Sequence, residues 1–399
     1  MSQDTMYLSQ TDETRRLSTV GLRARPRVAW LFPSLWLGHY WQPMFSTFEE
    51  MDAETTVFTG GLWDNFDTSE PGLRLVKEVG KTQYHRYAKT GGYSKQLMMP
   101  SLGIVARLLT YRPKVVFSQA FSLWSLLAIL LKPLGRWRVN LFIDGSSPNV
   151  DFRDSRFRTV LRRFIAKRAD LLIPNSEGAK DYLVNFLGVK PNRVRVNRYL
   201  VPDARFLQQN AGASNKRQDG KVNFLYVGKL IPRKGADKLV RACARLKAKG
   251  FENFVVTVVG DGPQRSALEQ LARAEGVAQQ LDWRGWAKPD ELGRYYQEAD
   301  VFVFPTLEDI WGIVALEAMA FRCPVIGSKY AGSSEMIEEG QSGYVIDPND
   351  DTMLTEAMQR VLESPEVLAH LSAGAENVSK RYTPYRAVQT FYRFVAEQV

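Results

Sequence analysis

Residues 302–328, FVFPTLEDIWGIVALEAMAFRCPVIGS, pass from a short apolar run through a polar loop into a helical pattern and then into a second apolar run. Short runs rich in β-branched and aromatic residues indicate buried strands, and the pattern between them is typical of a helix. A strand, a helix and a second strand in this order predict parallel strands covered on both faces. The stretch therefore indicates an α/β fold.

The same alternation extends in both directions from this stretch. In the first half we predict strands at 27–32, 55–60, 114–119, 139–144 and 170–176. In the second half we predict them at 222–229, 254–260, 300–306, 324–328 and 343–347. Two such sets, each with helices between its strands, predict two Rossmann-like, doubly wound domains.

The polar segment QQNAGASNKRQDGK at 208–221 separates the two sets, has no periodicity and therefore predicts a linker. Near the end of the chain, a Thr-Pro pair at 383–384 favours the start of a helix. We therefore expect a polar tail over 1–26, an N-terminal domain over 27–207, a C-terminal domain over 222–380 and a final helix over 381–399.

Charge is distributed unevenly along the 399 residues, whose formal net charge is +10. Residues 1–210 carry 30 basic and 18 acidic side chains, whereas the remaining 189 residues are nearly neutral. This asymmetry predicts an anionic partner for the first half only: nucleic acid, an acidic polymer or a membrane surface. Two cysteines and three histidines exclude a disulfide scaffold and argue against a histidine-rich metal site.

The segment VGKLIPRKGADKLVRA at 227–242 places Lys229 and Lys234 on the loop that follows a strand ending near Gly228. Open α/β sheets bind their ligands at the carboxyl ends of the strands. Two ammonium groups at such an end suit a diphosphate, whose charge must be stabilised when it leaves. A solvated basic loop explains these lysines equally well on this stretch alone.

The stretch 302–328 adds two carboxylates, Asp309 before the predicted helix over 313–319 and Glu317 about one turn inside it. The start of this helix, next to Gly312, offers free N–H groups to an anion. A carboxylate accepts hydrogen bonds from two hydroxyls at once, as the diol of a sugar or ribose requires. The alternative for Glu317 is an acid on the helix surface.

Together these segments resemble the retaining family-4 glycosyltransferases, also described as "glycosyl transferases group 1". The matching segments cover most of residues 222–350 in the family's order: VGKLIPRKG, VVGDGP, WRGWAKPDELGRYYQEADVFVFPT and EDIWGIVALEAMA…PVIGS…GYVIDPND. The resemblance implies the GT-B fold, in which two Rossmann-like domains face each other across a cleft. It also implies that the final helix returns to the N-terminal domain.

The resemblance further implies roles for individual residues in binding a nucleotide-sugar donor. Both lysines would hold the diphosphate, and Glu317, as the second acid of an E-x7-E motif, would bind the nucleotide ribose. The segment 285–286 would hold the base. The expected catalytic residues are Lys229, Lys234, Asp309 and Glu317, and the expected donor-binding residues are Gly228, Trp286, Glu308, Gly312, Ile313 and Val314.

The chain departs from the family's pattern at the first acid of E-x7-E, which is Asp309, one methylene shorter than glutamate. Either Asp309 holds the sugar hydroxyls with altered reach, or Glu308 replaces it through a shift of the loop.

The N-terminal half departs more widely. The segment FPSLWLGHYWQP at 32–43 has a single Gly38, followed by His39, where the family often has a Gly-Gly loop. Where relatives often carry a histidine in the cleft, this chain has Gln119 and Asp144. We therefore expect Gly38, His39 and Asp144 on the acceptor side.

The activity implied by the resemblance is retaining transfer of a hexose-type sugar from a UDP- or GDP-sugar to a glycan or lipid-linked acceptor. Such a reaction would belong to polysaccharide or glycolipid biosynthesis. No D-x-D triplet occurs, so we expect neither a metal nor any cofactor besides the donor.

The main alternative is a basic Rossmann-like protein that binds nucleic acid or an anionic polymer without transferase activity. No nucleic-acid-binding motif occurs, so we expect no nucleic-acid partner. A nucleotide-sugar dehydrogenase or epimerase would need a GxGxxG turn, which the sequence lacks.

Residues 155–168, SRFRTVLRRFIAKR, carry a stripe of Phe157, Val160, Leu161, Phe164 and Ile165 among arginines and lysines. Such a helix suits an anionic membrane surface. Alternatively, the stripe packs on the sheet of its own domain. No signal peptide is visible, and the uncharged run 115–131 predicts a buried strand and a core helix. We therefore expect a cytoplasmic protein, with possible peripheral contact to the inner membrane face.

Overall fold

A computed structural model describes residues 26–36, 38–51, 54–64, 66–90, 93–211 and 219–399. The side chains of residues 39, 86–90, 93–97 and 210 are outside this description, as are residues 1–25 of the tail predicted over 1–26. All ten predicted strands are present, with ends that differ from the prediction by at most two residues.

The N-terminal sheet has six parallel strands in the order β3-β2-β1-β6-β7-β8. These strands are β1 (Val28–Phe32), β2 (Thr55–Thr59), β3 (Val76–Glu78), β6 (Val115–Gln119), β7 (Arg138–Ile143) and β8 (Leu171–Pro174). A separate antiparallel hairpin is formed by β4 (Gln83–Thr90) and β5 (Tyr93–Met99).

The C-terminal sheet repeats this arrangement, in the order β11-β10-β9-β12-β13-β14. Its strands, all parallel, are β9 (Val222–Val227), β10 (Phe254–Val259), β11 (Leu281–Gly285), β12 (Val301–Phe304), β13 (Val325–Ser328) and β14 (Gly343–Ile346). The strand order reverses between β9 and β12. Ligands of doubly wound sheets bind at such a reversal, so the loops after these two strands form the expected crevice.

Helices cover both faces of each sheet. The N-terminal helices are α1 (Gln42–Glu50), α2 (Ile104–Tyr111), α3 (Leu123–Leu130), α4 (Lys132–Gly135), α5 (Pro148–Asp151), α6 (Arg156–Arg168), α7 (Glu177–Asp181) and α8 (Ala204–Asn210). The C-terminal helices are α9 (Ala236–Ala248), α10 (Arg265–Ala274), α11 (Leu292–Glu298), α12 (Val314–Ala320), α13 (Met353–Glu363), α14 (Pro365–Arg381) and α15 (Pro384–Ala396). The prediction of two Rossmann-like domains is confirmed.

The final helix, α15, returns to the N-terminal domain as expected. The Phe391 ring lies 4.9 Å from the Trp30 ring and 5.3 Å from the Phe117 ring, both of which belong to the N-terminal sheet. The Asn197 side-chain amide also donates a hydrogen bond to the Ala387 carbonyl at 3.0 Å. The chain therefore crosses between the domains twice, and the second crossing ends in the aromatic core of the first domain.

The predicted linker over 208–221 overlaps the last residues of α8, and residues 212–218 are outside the described part. The domain boundaries stay predictions. The uncharged run 115–131 forms β6 and α3, as expected. None of the helices in the described residues is long and apolar enough to cross a membrane.

The apolar stripe of α6 divides into two parts. Ile165 is buried, and Leu161 and Phe164 pack partly buried against the N-terminal core. Phe157 and Val160, near the start of the helix, are 78% and 66% exposed. Packing on the sheet therefore accounts for only the C-terminal half of the stripe.

Candidate active site

The turn after β9 is held closely against the loop after β12. Residues Pro232–Lys234 form a single helical turn that ends at Gly235, whose φ is 67°. A Cβ atom at Gly235 would overlap the carbonyl of Pro305. Glycine therefore allows both the left-handed backbone and the close approach of the two loops.

This approach brings Lys234 and Asp309 together. The Lys234 ammonium forms an ion pair with the Asp309 carboxylate, and the two side chains are only 18% and 15% exposed. The Arg233 guanidinium lies 4.0 Å from the same carboxylate and donates to the Glu308 carbonyl at 2.6 Å. An ammonium carries three N–H donors, so a bond to Asp309 leaves two that can reach another anion.

The other predicted lysine, Lys229, is exposed on the same loop. It follows Gly228, whose N–H donates to the Val259 carbonyl at 3.0 Å at the end of β9. The loop after β9 therefore offers one ammonium group in solvent and one that is largely buried against Asp309.

The backbone at Gly312 matches its predicted role before a helix. Its φ is 87°, and a Cβ atom there would collide with the Phe304 ring. Ile313 occupies the N-cap position, and α12 begins at Val314, one residue later than predicted. Gly312, Ile313 and Val314 thus form the turn between the acidic loop and the helix that carries Glu317.

Glu317 is half-buried and is not an acid on the helix surface. Its carboxylate accepts a hydrogen bond from the Tyr296 hydroxyl at 2.8 Å. Burial raises the pKa of Glu317 above its usual range, and the Tyr296 bond opposes that shift. Burial and the nearby Glu317 charge also raise the pKa of Tyr296, so this hydroxyl remains a hydrogen-bond donor at neutral pH.

Glu308 points away from the lysines and contacts the N-terminal domain. Its two carboxylate oxygens accept bonds from the Asn149 backbone N–H at 3.2 Å and from the Asn149 side-chain amide at 2.6 Å. Of the two acids considered for the first position of E-x7-E, Asp309 therefore lies beside Lys234 and Glu308 bridges the domains.

Further hydrogen bonds join the two domains. The Trp311 indole N–H donates to the Leu200 carbonyl at 2.6 Å. The Glu335 carboxylate accepts from the backbone N–H groups of Glu177 and Gly178 at 2.9 and 3.0 Å. These bonds hold the loops after β12 and β13 against the N-terminal domain.

On the N-terminal wall, Asp144 lies at the end of β7. It accepts hydrogen bonds from the Gln119 side-chain amide at 2.9 Å and from the Tyr199 hydroxyl at 3.0 Å. Burial raises the pKa of Asp144 from 3.8 to about 6, against the effect of these two bonds. Gln119 and Asp144, which we expected where relatives often carry a histidine in the cleft, are therefore paired with each other.

The remaining predicted residues lie at the edges of the site. Gly38 is buried against Leu35, and the side chain of His39 is outside the described part of the structure. Trp286 is 68% exposed, directly after Gly285, whose carbonyl accepts from the Gly260 N–H at 2.7 Å. Trp286 thus presents a large, accessible ring next to the loop after β10.

Sequence reasoning missed Asn149, Tyr199 and Tyr296. Asn149 follows a predicted strand by a few residues, so its place at the cleft could have been inferred from the rule that strand ends line the site. Nothing in the spacing pointed to Tyr296, whose hydrogen bond to Glu317 links α11 to α12.

A cavity of about 720 Å³ lies between the domains, and its lining includes Glu308 and Asp309 but neither of the two lysines after β9. Its N-terminal wall is formed by residues 146–149 with Ser176 and Gly178, and its C-terminal wall includes 307–309 and 329–332. In the described part of the chain, no group of three or more His, Cys, Asp or Glu side chains is arranged to hold a metal ion.

Comparison with known proteins covers both domains. Residues 37–199 match the model of the glycosyl transferase 4-like domain, and residues 208–378 match the model of glycosyl transferases group 1. A D-inositol 3-phosphate glycosyltransferase of Streptomyces bingchenggensis is 27% identical over 84% of this chain and 77% of its own length. One of Rhodococcus jostii is 28% identical over 60% of this chain, which spans only 55% of that relative.

Among solved structures, Anabaena HepE in complex with UDP superimposes with a TM-score of 0.73 at 17% identity, covering 93% of this chain and all of the other. At this identity the likeness concerns the fold, which is GT-B. Because the two family models match residues 37–199 and 208–378 in order and so cover both domains, this chain belongs to the group 1 glycosyltransferases.

Proposed function

We propose that this protein is a retaining glycosyltransferase that moves a hexose-type sugar from a UDP- or GDP-sugar to a glycan or lipid-linked acceptor. The observation that carries the proposal is the ion pair of Lys234 and Asp309 at the strand reversal, with Glu317 on the helix that follows. Cationic and hydroxyl-binding groups meet there, as a nucleotide-diphosphate sugar requires.

The lysines would act on the leaving group. When the bond between the sugar C1 and the diphosphate oxygen breaks, negative charge develops on that oxygen. Lys234, with two N–H donors beyond its bond to Asp309, and the exposed Lys229 would stabilise this charge. A largely buried ammonium is more effective than a solvated one because the surrounding dielectric is lower.

The acceptor hydroxyl would attack C1 from the face that the diphosphate leaves. The new C1–oxygen bond forms as the old one breaks, and the hydroxyl proton passes to the departing diphosphate oxygen. The configuration at C1 is then retained without a base from the protein. Catalysis on this route depends on charge stabilisation and on positioning of the acceptor.

The two acids would orient the donor. Glu317, held by Tyr296, would accept from the ribose hydroxyls, and Asp309 would accept from hydroxyls of the transferred sugar. The chain has no D-x-D triplet, and we expect the lysines to balance the diphosphate charge without a divalent metal.

For the acceptor, we infer a molecule presented at the inner face of a membrane, in polysaccharide or glycolipid assembly. The start of α6 exposes Phe157 and Val160 beside Arg156 and Arg163, so apolar and cationic groups share one surface. Such a surface suits anionic lipid head groups. The relatives named for D-inositol 3-phosphate indicate that polyol acceptors occur in this family.

A thermal-shift panel of UDP, GDP and their sugars tests the proposal, with ADP-glucose as a control. A saturable rise in Tm with one uridine or guanosine nucleotide supports it, and a panel without any response contradicts it. UDP is the first candidate because HepE, a protein of the same fold, was solved with UDP.

A further inference from the structure

The interdomain cavity of about 720 Å³ is not lined by Lys229 or Lys234, the two lysines of the crevice. Asp309 belongs to both: its carboxylate pairs with Lys234, while its backbone N–H donates to the Tyr330 carbonyl at 3.0 Å on the cavity side. The acidic loop is thus a shared wall. We propose that the cavity binds an uncharged sugar unit of the acceptor glycan, an inference that rests on the proposed function.

The charge of the cavity lining favours an uncharged ligand. The lining includes the carboxyl residues Glu308 and Glu335 and one ammonium, that of Lys329, whereas the Asp309 carboxylate is paired with Lys234. The Glu335 carboxylate lies 3.4 Å from the Arg198 guanidinium. Lys329 is already engaged by Asp347 at 2.7 Å, which lies outside the lining. Among the described residues no ion pair balances the Glu308 carboxylate, so a phosphate, sulfate or uronate in the cavity would meet its negative charge, and the cavity favours a neutral ligand.

The hydrogen-bonding groups of the lining favour a ligand with hydroxyls. Ser147 is 6% exposed, and its hydroxyl oxygen has no hydrogen-bond partner among the described residues. Buried hydroxyls are normally paired, so an unpaired one in the wall of a cavity indicates a polar ligand. Glu308 is fixed by Asn149 and Glu335 by backbone N–H groups, and both carboxylates retain lone pairs that can accept from sugar hydroxyls.

Tyr330 supplies an apolar surface for such a ligand. It is 37% exposed, and its hydroxyl is held by the Asn349 side-chain amide at 3.3 Å. The face of an aromatic ring carries negative potential and attracts polarised C–H groups such as those on one face of a pyranose. A volume of about 720 Å³ falls within the range of small-molecule sites and accommodates one or two sugar rings.

Saturation-transfer NMR on the full chain tests this proposal with matched pairs: glucose against glucose 6-phosphate, and myo-inositol against inositol 1-phosphate, with maltose as a longer neutral ligand. We expect the neutral compounds to bind and the phosphorylated ones to bind at least fivefold more weakly. Tyr330→Ala should weaken neutral binding at least fivefold, whereas Tyr330→Phe, which keeps the ring, should bind nearly as well as the wild type.

Titration of the same samples with UDP tests the proposed function independently of this inference, because UDP is expected to bind in the crevice of Lys234 and not in the cavity. Unchanged UDP affinity in Tyr330→Ala shows that the variant is folded and that the lost saccharide binding is local. Stronger binding of the phosphorylated compounds, no binding of any neutral one, or equal binding by wild type and Tyr330→Ala would each overturn the proposal.

Discussion

Lys234 and Asp309 form a largely buried ion pair between the turn after β9 and the loop after β12. Each was expected to contact a different part of the donor, the diphosphate and the transferred sugar. Their contact means that the two parts of the crevice are electrostatically linked, because the charge of Asp309 holds the ammonium where the leaving group would develop its own charge.

Lys234→Ala should lower turnover by about a hundred- to a thousandfold, the range found when one charge-stabilising donor is removed. Steady-state kinetics with the donor identified by the thermal-shift panel would measure the loss. Lys249→Ala, which changes an exposed lysine at the end of α9, is the control and should retain full activity. A fully active Lys234→Ala enzyme would contradict the assignment of the crevice.

Substitutions of Asp309 and Glu308 should change different kinetic parameters. Asp309→Asn removes the partner of Lys234 and should lower kcat by at least tenfold. Glu308→Gln weakens the bridge to Asn149 and should chiefly raise the KM for the acceptor, because that bridge joins the domains. If Glu308→Gln lowers kcat more than Asp309→Asn, the first acid of the motif is Glu308.

Glu317→Ala should weaken donor binding by about ten- to a hundredfold, since hydrogen bonds to a charged group contribute about 1.5–3 kcal/mol. Tyr296→Phe should cause a smaller loss that grows as the pH falls from 8 to 5. The lost hydroxyl bond lowers the pKa of Glu317 in the wild type, so the variant's carboxyl takes up its proton at higher pH. Calorimetry at both pH values measures this, and a pH-independent loss would argue against an ionised Glu317 in donor binding.

Asp144 should make stability depend on pH. Burial raises its pKa from 3.8 to about 6, so the folded state favours the protonated carboxyl. This contribution is fully present below pH 4 and is lost as the pH rises through 6. The free energy of unfolding of the wild type relative to Asp144→Asn should therefore fall by up to about 3 kcal/mol between pH 4 and 7.5.

Urea denaturation at the two pH values measures this difference, with Asp154→Asn, an exposed aspartate, as the control for general pH effects. A difference between wild type and Asp144→Asn that is the same at both pH values would show that Asp144 has an ordinary pKa.

The exposed start of α6 should bind anionic membranes. Phe157→Ser combined with Val160→Ser should abolish flotation with vesicles that contain anionic lipid, while fold and turnover on a soluble acceptor persist, because both side chains are largely exposed. Phe206→Ser, which changes an exposed phenylalanine on α8, is the matched control. Wild-type protein that does not float with anionic vesicles would remove the membrane proposal.

Strands with near-continuous apolar sequences could be predicted from the sequence. All ten predictions were based on such runs, and all ten strands are present in the structure. Four strands, β3, β4, β5 and β11, could not be predicted, for three different reasons. β3 has only three residues, β11 is half-polar at the edge of its sheet, and the β4–β5 hairpin lies outside both parallel sheets. Their sequences lack the buried runs on which the prediction depended.

The sequence could predict which residues line the site, from their types and from their positions after the strands. It could not predict which of these side chains contact one another. Lys234 meets Asp309 only because Gly235 lets two distant loops touch. Glu308 finds its partner in the other domain, 159 residues away. Helical periodicity could not show that only the C-terminal half of the α6 stripe is covered, because the period identifies the apolar face of a helix and not how far along that face the rest of the domain reaches.

The most direct test of the account is calorimetric titration of UDP and GDP in the presence of EDTA, into wild type and Lys234→Ala. The account predicts that one nucleotide binds the wild type without metal and binds the variant at least tenfold more weakly. Equal affinity of both proteins, or binding that appears only when a divalent metal is added, would contradict a diphosphate site built from the lysines of the loop after β9.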